Sequence, residues 1–167
     1  MRCFAAYESP LGDMLVIAGK DGLEGVHFHG QKHFPRTDES WREDPDAPLI
    51  RRTIELLDRY FGGERIRFDV PLAPRGTECQ LAVWKAISGV PYGETISYGE
   101  LARRAGIPNA PRAAGAATGR NPIGIVVPCH RIVGANGSLT GYAGGLDKKR
   151  ALLALEAGFA QPILVSQ

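Results

Sequence analysis

Residues 97–119 read SYGELARRAGIPNAPRAAGAATG. Ser97 followed three residues later by Glu100 has the form of a capping box, with Glu100 reaching back to the Ser97 amide, so a short helix is expected to about Ala105. Gly106 to Pro108 should turn the chain. Asn109 is the expected cap of a next helix, with Pro111 tolerated in its first turn, and that helix should fade near Gly119. Two short helices joined by a glycine-containing turn outline a helix-turn-helix, although the spacing alone also fits an ordinary helical corner. The second helix is built from small residues, RAAGAATG over Arg112 to Gly119. A helix with side chains is about 10–12 Å across, whereas the minor groove of B-DNA is about 6 Å wide. Alanine and glycine let bare backbone approach closely, at a helix cost of about 1 kcal/mol per glycine. Tight helix–helix packing would select the same composition. Arg112 is the long residue on this segment, either a side chain able to reach into a duplex or a plain solvent-facing arginine.

Upstream, Phe4 to Tyr7, Met14 to Ala18 and Leu23 to Phe28 are apolar or alternating runs. Pro10-Leu11-Gly12 and Lys20-Asp21-Gly22 separate them as turns, so three strands are expected. Gly30 to Ala47 is polar and reads as a long exposed loop. Pro48 opens a helix whose Ile50, Ile54, Leu57 and Phe61 recur at helical spacing, ended by Gly62-Gly63. Arg65 to Val70 alternates and predicts another strand, and Pro71 to Gly76 is the candidate linker. The expected domains are therefore 1–74, with sheet and helix, and 75–167, mainly helical. Within the second, Glu78 to Ser88 predicts a helix carrying Leu81, Trp84, Ala86 and Ile87, and Gly89 to Gly93 a turn. Gly134 to Gly145 is a glycine-rich loop, and Asp147 should cap a last helix, Lys148 to Ala157.

The overall charge of +2 conceals an asymmetry. Residues 1–74 hold 10 basic and 13 acidic side chains, and residues 75–167 hold 10 basic and 5 acidic, so the second segment is at +5. That excess fits a polyanionic partner or a merely solvated surface. At 44% hydrophobic and 23% charged, 167 residues can bury a core without disulfides and are not a disordered chain. Cys3, Cys79 and Cys129 are odd in number and lack C-x-x-C spacing, which argues against a disulfide framework and a four-cysteine zinc site. No apolar run approaches the roughly 20 residues of a membrane span, and the start MRCFAAYESP does not read as a signal peptide. A soluble protein of a reducing compartment, the cytoplasm, is expected.

Pro128-Cys129-His130-Arg131 is the sharpest chemical feature. A cysteine needs a base or a positive neighbour to become a thiolate near neutral pH. Adjacent side chains can diverge, so Cys129 and His130 are expected to communicate through a water; a buried inert cysteine beside a surface histidine is the alternative. Glu156 lies four residues after Leu152 and three after Leu153 on the last helix, so its carboxylate is half-buried and needs a partner or an outlet to water. A histidine oriented by that carboxylate would be the better base. Asn121-Pro122 precedes the apolar run Ile123 to Val127 that feeds the cysteine, where an asparagine can bond local backbone. On these features alone, a thiol hydrolase and a non-catalytic DNA-binding module remain open.

With these stretches in place, the sequence resembles the O6-alkylguanine-DNA alkyltransferases. The matching segments are GTECQLAVWKAI (76–87), VPYGETISYGELA (90–102), RAAG (112–115), NPIGIVVPCHRIVG (121–134), GSLTGYAGG (137–145) and KKRALLALE (148–156), in order, within a region running from Gly76 to Phe159. The resemblance implies a ribonuclease-H-like N-terminal α/β domain and a mainly helical C-terminal domain with a winged helix-turn-helix-like DNA-binding motif. It implies that Cys129 accepts the alkyl group, that His130 takes the thiol proton through water, that Glu156 orients His130, and that Asn121 joins the same network. Tyr98 would contact the flipped base and help protonate the leaving guanine. Tyr142, Ala143 and Val127 would line the substrate pocket. Arg112 would fill the stack in place of the extruded nucleotide, and Ala113, Ala114, Gly115, Ala117 and Thr118 would accompany it on the minor groove. The implied activity is irreversible, one-time transfer from O6-alkylguanine, with O4-alkylthymine a further candidate substrate. The implied partner is double-stranded DNA bearing alkylated bases, met by a monomer without cofactor. Ala143 stands where some members carry serine, RAAG replaces the commoner RAVG, and Cys79 replaces a common aromatic residue. Some members hold a structural zinc; here Cys3, His27, His29 and His33 lack a second nearby cysteine, so no metal is expected.

Overall fold

Three strands form where the apolar runs stand: β1, Cys3–Ser9; β2, Gly12–Ala18; and β3, Leu23–Phe28. They come from a computed structural model that describes residues 2–158; Phe159, where the resemblance ends, and the rest of the 75–167 segment lie outside the described residues. β1 pairs antiparallel with β2 from Cys3↔Ala18 to Ser9↔Gly12, and β2 pairs antiparallel with β3, with an irregularity at Ile17/Ala18. β1 buries Ala5, Tyr7 and Ser9 while Ala6 and Glu8 face out, the period-2 pattern of a one-sided strand. β2 is buried throughout Met14 to Ala18.

The segment expected to be pure loop contributes β4, Arg42–Glu43, which adds parallel to the free edge of β1. Two polar, exposed residues carry no periodicity, so sequence pattern cannot reveal such a strand. α1, Pro48–Phe61, packs against β1 and β2 and buries Ile50, Thr53, Leu56, Leu57, Tyr60 and Phe61; Ile54 is only half-buried. The Tyr7 hydroxyl donates to Asp58 Oδ1 at 2.7 Å and ties the helix to the sheet.

The strand expected over 65–70 does not form. The chain meets the β3 edge only around Leu72, where Leu23 N donates to Pro71 O and Ala73 N to Leu23 O. Pro71 and Pro74 have no N–H to extend that ladder. Further along the same edge, Val26 N donates to Pro122 O and Gly124 N to Val26 O. The N-terminal sheet therefore carries the run that leads to Cys129.

The second half is α2, Glu78–Ser88; β5, Ile96–Ser97; α3, Tyr98–Arg104; α4, Pro111–Gly119; a 3-10 turn, Cys129–Arg131; β6, Ile132–Val133; and α5, Leu146–Glu156. α2 opens with a capping box from Thr77 and Gln80, and it buries Val83, Trp84 and Ile87 while Leu81 stays exposed. Trp84 Nε1 donates to Ala117 O at 2.7 Å, joining α2 to α4. Three cap expectations need correction. Ser97 Oγ accepts from Glu100 N, but the Glu100 carboxylate turns to Arg103 and Arg104 instead of the Ser97 amide. The cap position of α4 is Ala110, not Asn109, because Pro111 supplies the first helical residue without needing a side-chain cap. α5 begins two residues early with Gly145 (φ +102°) before it, so Asp147 sits in the first turn and bonds Arg150. One continuous apolar cluster runs from Ala5 and Met14 through Tyr60, Trp84 and Leu101 to Cys129 and Leu155, joining both halves. No helix among the described residues is long and apolar enough to cross a membrane, and no three His, Cys, Asp or Glu side chains gather as a metal site there.

His27 on β3 is buried, and burial pushes its imidazole down to about 4. The unfolded chain, titrating near the ordinary value of about 6.5, therefore takes up the proton first as pH falls. The contribution of His27 to stability is complete above about pH 6.5 and is lost as pH drops toward 4. Urea midpoints measured from pH 7 to 5 should fall less in His27→Gln than in the parent chain.

Candidate active site

The run 121–127 is folded by the asparagine in front of it. Asn121 Oδ1 accepts from Ile123 N at 3.0 Å and Asn121 Nδ2 donates to Val127 O at 2.8 Å, so one buried side chain clasps both ends of a tight bend. Inside the bend Ile125 has φ +68° and is buried. A β-branched residue in the left-handed region is strained by about 1–3 kcal/mol, held here by its burial and by the clasp. The bend releases the chain into the 3-10 turn that carries Cys129, His130 and Arg131, all buried.

Cys129 is 7% exposed, and that exposure is to a pocket of about 400 Å³. The walls include Tyr98 at the start of α3, Gly115 and Thr118 of α4, and Thr140 to Ala143 of the glycine-rich loop, with Lys32 and His33 at the rim. Thr140 Oγ1 donates to the Tyr98 hydroxyl at 3.1 Å, which fixes the phenol across the pocket. Burial pushes the Cys129 thiol up, opposed by a hydrogen bond from Asn121 and the charge of Lys149. Lys149 is itself buried and donates to Ile132 O at 2.6 Å and Thr140 O at 3.0 Å.

Behind the cysteine, His130 is fully buried and its Nε2 lies 2.6 Å from Glu156 Oε2. An ionised carboxylate only accepts, so the imidazole proton sits on Nε2 and the Nδ1 lone pair is free. His130 Nδ1 has no hydrogen-bond partner among the described residues. Burial pulls the imidazole below its ordinary value against the opposing hydrogen bond and charge of Glu156. Burial alone would push Glu156 up, but its bonds to His130 and Arg131 outweigh that and hold it well below the usual carboxylate range. Arg131 donates from Nε to Oε1 at 2.7 Å and from Nη2 to Oε2 at 3.0 Å, a two-point grip, while its Nη1 donates to Val90 O. Gly93 N donates to Oε1 at 3.2 Å and the Tyr60 hydroxyl to Oε2 at 2.5 Å.

The structure thus brings Cys129, Tyr98, Tyr142, Ala143, Gly115 and Thr118 to one pocket, with His130 and Glu156 linked behind it and Asn121 holding the approach. Val127 is buried and contributes its carbonyl to the clasp rather than a pocket wall. Of Arg112, Ala113, Ala114, Gly115, Ala117 and Thr118, expected at DNA, three turn inward. Ala114, Ala117 and Thr118 are buried because positions three and four apart share the core face of α4. Arg112, Ala113 and Ala116 are exposed, and Gly115 lies between the two faces, its Cα side against the Tyr98 ring. Leu153 is likewise only half-buried, and the core stripe of α5 is Lys149, Leu152, Leu155 and Glu156.

Arg131, Tyr60 and Lys149 were given no role by sequence pattern. The one signal available was chemical: a phenol, an ammonium and a guanidinium at core-facing positions each demand a buried partner. Removing one member of a buried ion pair costs about 3–5 kcal/mol, because the remaining charge is left uncompensated. Glu156→Gln should therefore destabilise the chain by about that amount in urea unfolding, leaving the Arg131 guanidinium without its countercharge.

Residues 3–74 match a family model described as the 6-O-methylguanine DNA methyltransferase ribonuclease-like domain, and residues 78–158 match its DNA binding domain. A methylated-DNA–protein-cysteine methyltransferase of Methanosarcina acetivorans is 50% identical over 153 residues, covering 92% of this chain and 97% of that protein. One from Mycobacterium tuberculosis H37Rv is 46% identical over 153 residues, covering 92% and 91%. The crystal structure of Mycobacterium tuberculosis OGT in complex with DNA superposes with a TM-score of 0.86 at 45% identity, covering 95% of this chain and 94% of that one. The two family models cover most of the chain, an N-terminal sheet and helix followed by a helical domain, and the chain belongs to the 6-O-methylguanine DNA methyltransferase family.

Proposed function

We propose that this protein repairs alkylated DNA directly, by moving the alkyl group from O6-alkylguanine, and from O4-alkylthymine where it fits, to its own Cys129. The observation that carries this reading is the sulfur on the wall of an open pocket, followed in the chain by a buried imidazole held by a carboxylate. Residues 1–74 are the α/β ribonuclease-H-like domain and residues 75–167 the DNA-binding and transfer domain. The protein acts as a monomer in the cytoplasm and requires no cofactor.

The thiol is held protonated until a lesion arrives, since burial disfavours its ionisation. The proton passes through a bridging water to His130 Nδ1, the free lone pair. Glu156 steadies the imidazolium, while Lys149 and the Asn121 hydrogen bond favour the thiolate. Sulfur then attacks the alkyl carbon in line: the S–C bond forms, the C–O6 bond breaks, and the electron pair leaves with the purine. Tyr98 donates to that departing base, and a proton from the thiol is in net terms transferred to guanine. The product is a thioether, which offers water no activated bond, so each chain acts once.

The base must leave the stack to reach the sulfur, at a cost of a few kcal/mol that is smallest for a poorly paired lesion. Arg112, exposed on α4 three residues before the pocket-lining Gly115, fills the gap it leaves. The flanking Ala113 and Ala116 present no long side chain, which suits close approach to the minor groove.

Intact-mass analysis after mixing with alkylated duplex DNA should show a gain of one alkyl group on the Cys129 peptide and then no further reaction. Cys129→Ser should bind DNA yet gain no mass; full-rate transfer in that variant would contradict the assignment. Arg112→Ala should slow repair in duplex by about tenfold or more while leaving reaction with free O6-alkylguanine nearly unchanged. Equal losses on both substrates would exclude the finger role.

A further inference from the structure

We propose that Tyr60, supplied by α1 of the N-terminal half, is a positioning residue for alkyl transfer: its hydroxyl holds the Glu156 carboxylate in line with His130 and limits how much that carboxylate strengthens the imidazole as a base. The proposal rests on the reading of Cys129 and His130 as acceptor and base.

Oε2 of Glu156 accepts from three donors, the Tyr60 hydroxyl at 2.5 Å, His130 Nε2 at 2.6 Å and Arg131 Nη2 at 3.0 Å. The Tyr60 hydroxyl also lies 3.4 Å from His130 Nε2, so it touches both partners of the pair. Its ring is fully buried and packed against Phe61 at 5.5 Å, Phe68 at 5.8 Å and Tyr92 at 6.2 Å between centroids. Packing therefore sets where the hydroxyl stands, and the carboxylate conforms to it. Burial first, and the Glu156 charge second, push the phenol well above its ordinary value, so it remains a donor wherever the protein is folded.

The donors differ in effect. Arg131 cancels the carboxylate charge, whereas a neutral phenol draws on it without cancelling it. With the phenol in place, less of the charge on Oε2 is available to an imidazolium. The charged and titratable groups around His130 are Glu156 and Lys149 from α5, Cys129 and Arg131 from its own turn, and Tyr60 from α1, with Tyr92 and Tyr142 also near Glu156. Tyr60 is the member of this set that belongs to the N-terminal half, and it gives that half a direct part in the chemistry.

Two variants keep the ring and change only its donor strength. Tyr60→Phe removes the hydroxyl; 3-fluorotyrosine placed at position 60 makes it a better donor. The readouts are the His130 imidazole titration by NMR in the DNA-free protein and the pH profile of the transfer rate. In Tyr60→Phe both the titration and the acid limb of the rate should move up by about half a unit, and transfer above that limb should slow several-fold. With fluorotyrosine both should move down. Profiles that superimpose on the parent, or that shift the same way in both variants, overturn the proposal. If Tyr60→Phe fails to fold, the fluorotyrosine protein decides alone. If the parent transfers no alkyl group, the reading of function fails, while the imidazole titration still decides the role of Tyr60.

Discussion

The carboxylate of Glu156 is the constraint around which the molecule closes. Its two oxygens accept from Arg131 twice, from His130, from Tyr60 and from Gly93 N. A buried ion is tolerable only when opposite charge and hydrogen bonds replace the water it has lost. Here the donors come from α1, the turn before β5 and the 3-10 turn, while the acceptor is the last residue of α5. No subset of these segments satisfies the group alone, so the ion acts as a check on complete assembly. Because Arg131 supplies the countercharge, His130 can remain uncharged beside an anion, which is the state a base requires.

Much of the fold was legible because it follows local rules. The three strands and α1 appeared where apolar periodicity and turn residues placed them, and α3 and α4 where a serine cap, Gly106 and Pro111 punctuate the chain. The failures share a cause. Asn109 and Asp147 are good capping residues, but a proline in the first turn and a left-handed Gly145 set those helix starts instead. Glu100 had an arginine pair within reach, which outcompeted its own helix start. The alternation over 65–70 is real, yet no open ladder is offered to it except near Leu72.

The site divided along the same line. Cys129, His130, Glu156 and Asn121 are carried by short ordered motifs, and the geometry brings them together. Tyr60 reaches Glu156 across 96 positions of chain, a pairing that no local pattern encodes. The surface of α4 was legible in composition but not in orientation, since an alanine-rich segment has no apolar stripe to tell its inner face from its outer one.

The parallel pairing of β5 with β6 joins Ile96 to Ile132 and Ser97 to Val133. Ser97 immediately precedes Tyr98, and Ile132 stands three residues after Cys129. The phenol and the sulfur are thus mounted on a common backbone clamp, and the gap between them is a rigid dimension. Another wall, Thr140 to Ala143, is a loop segment tied by Lys149, the Tyr98 hydroxyl and Lys32 N, with Tyr142 packed against the core. In the proposed reaction a group carried on the sulfur would have to fit between the phenol and this loop, so the ladder spacing bounds the size of group the site takes.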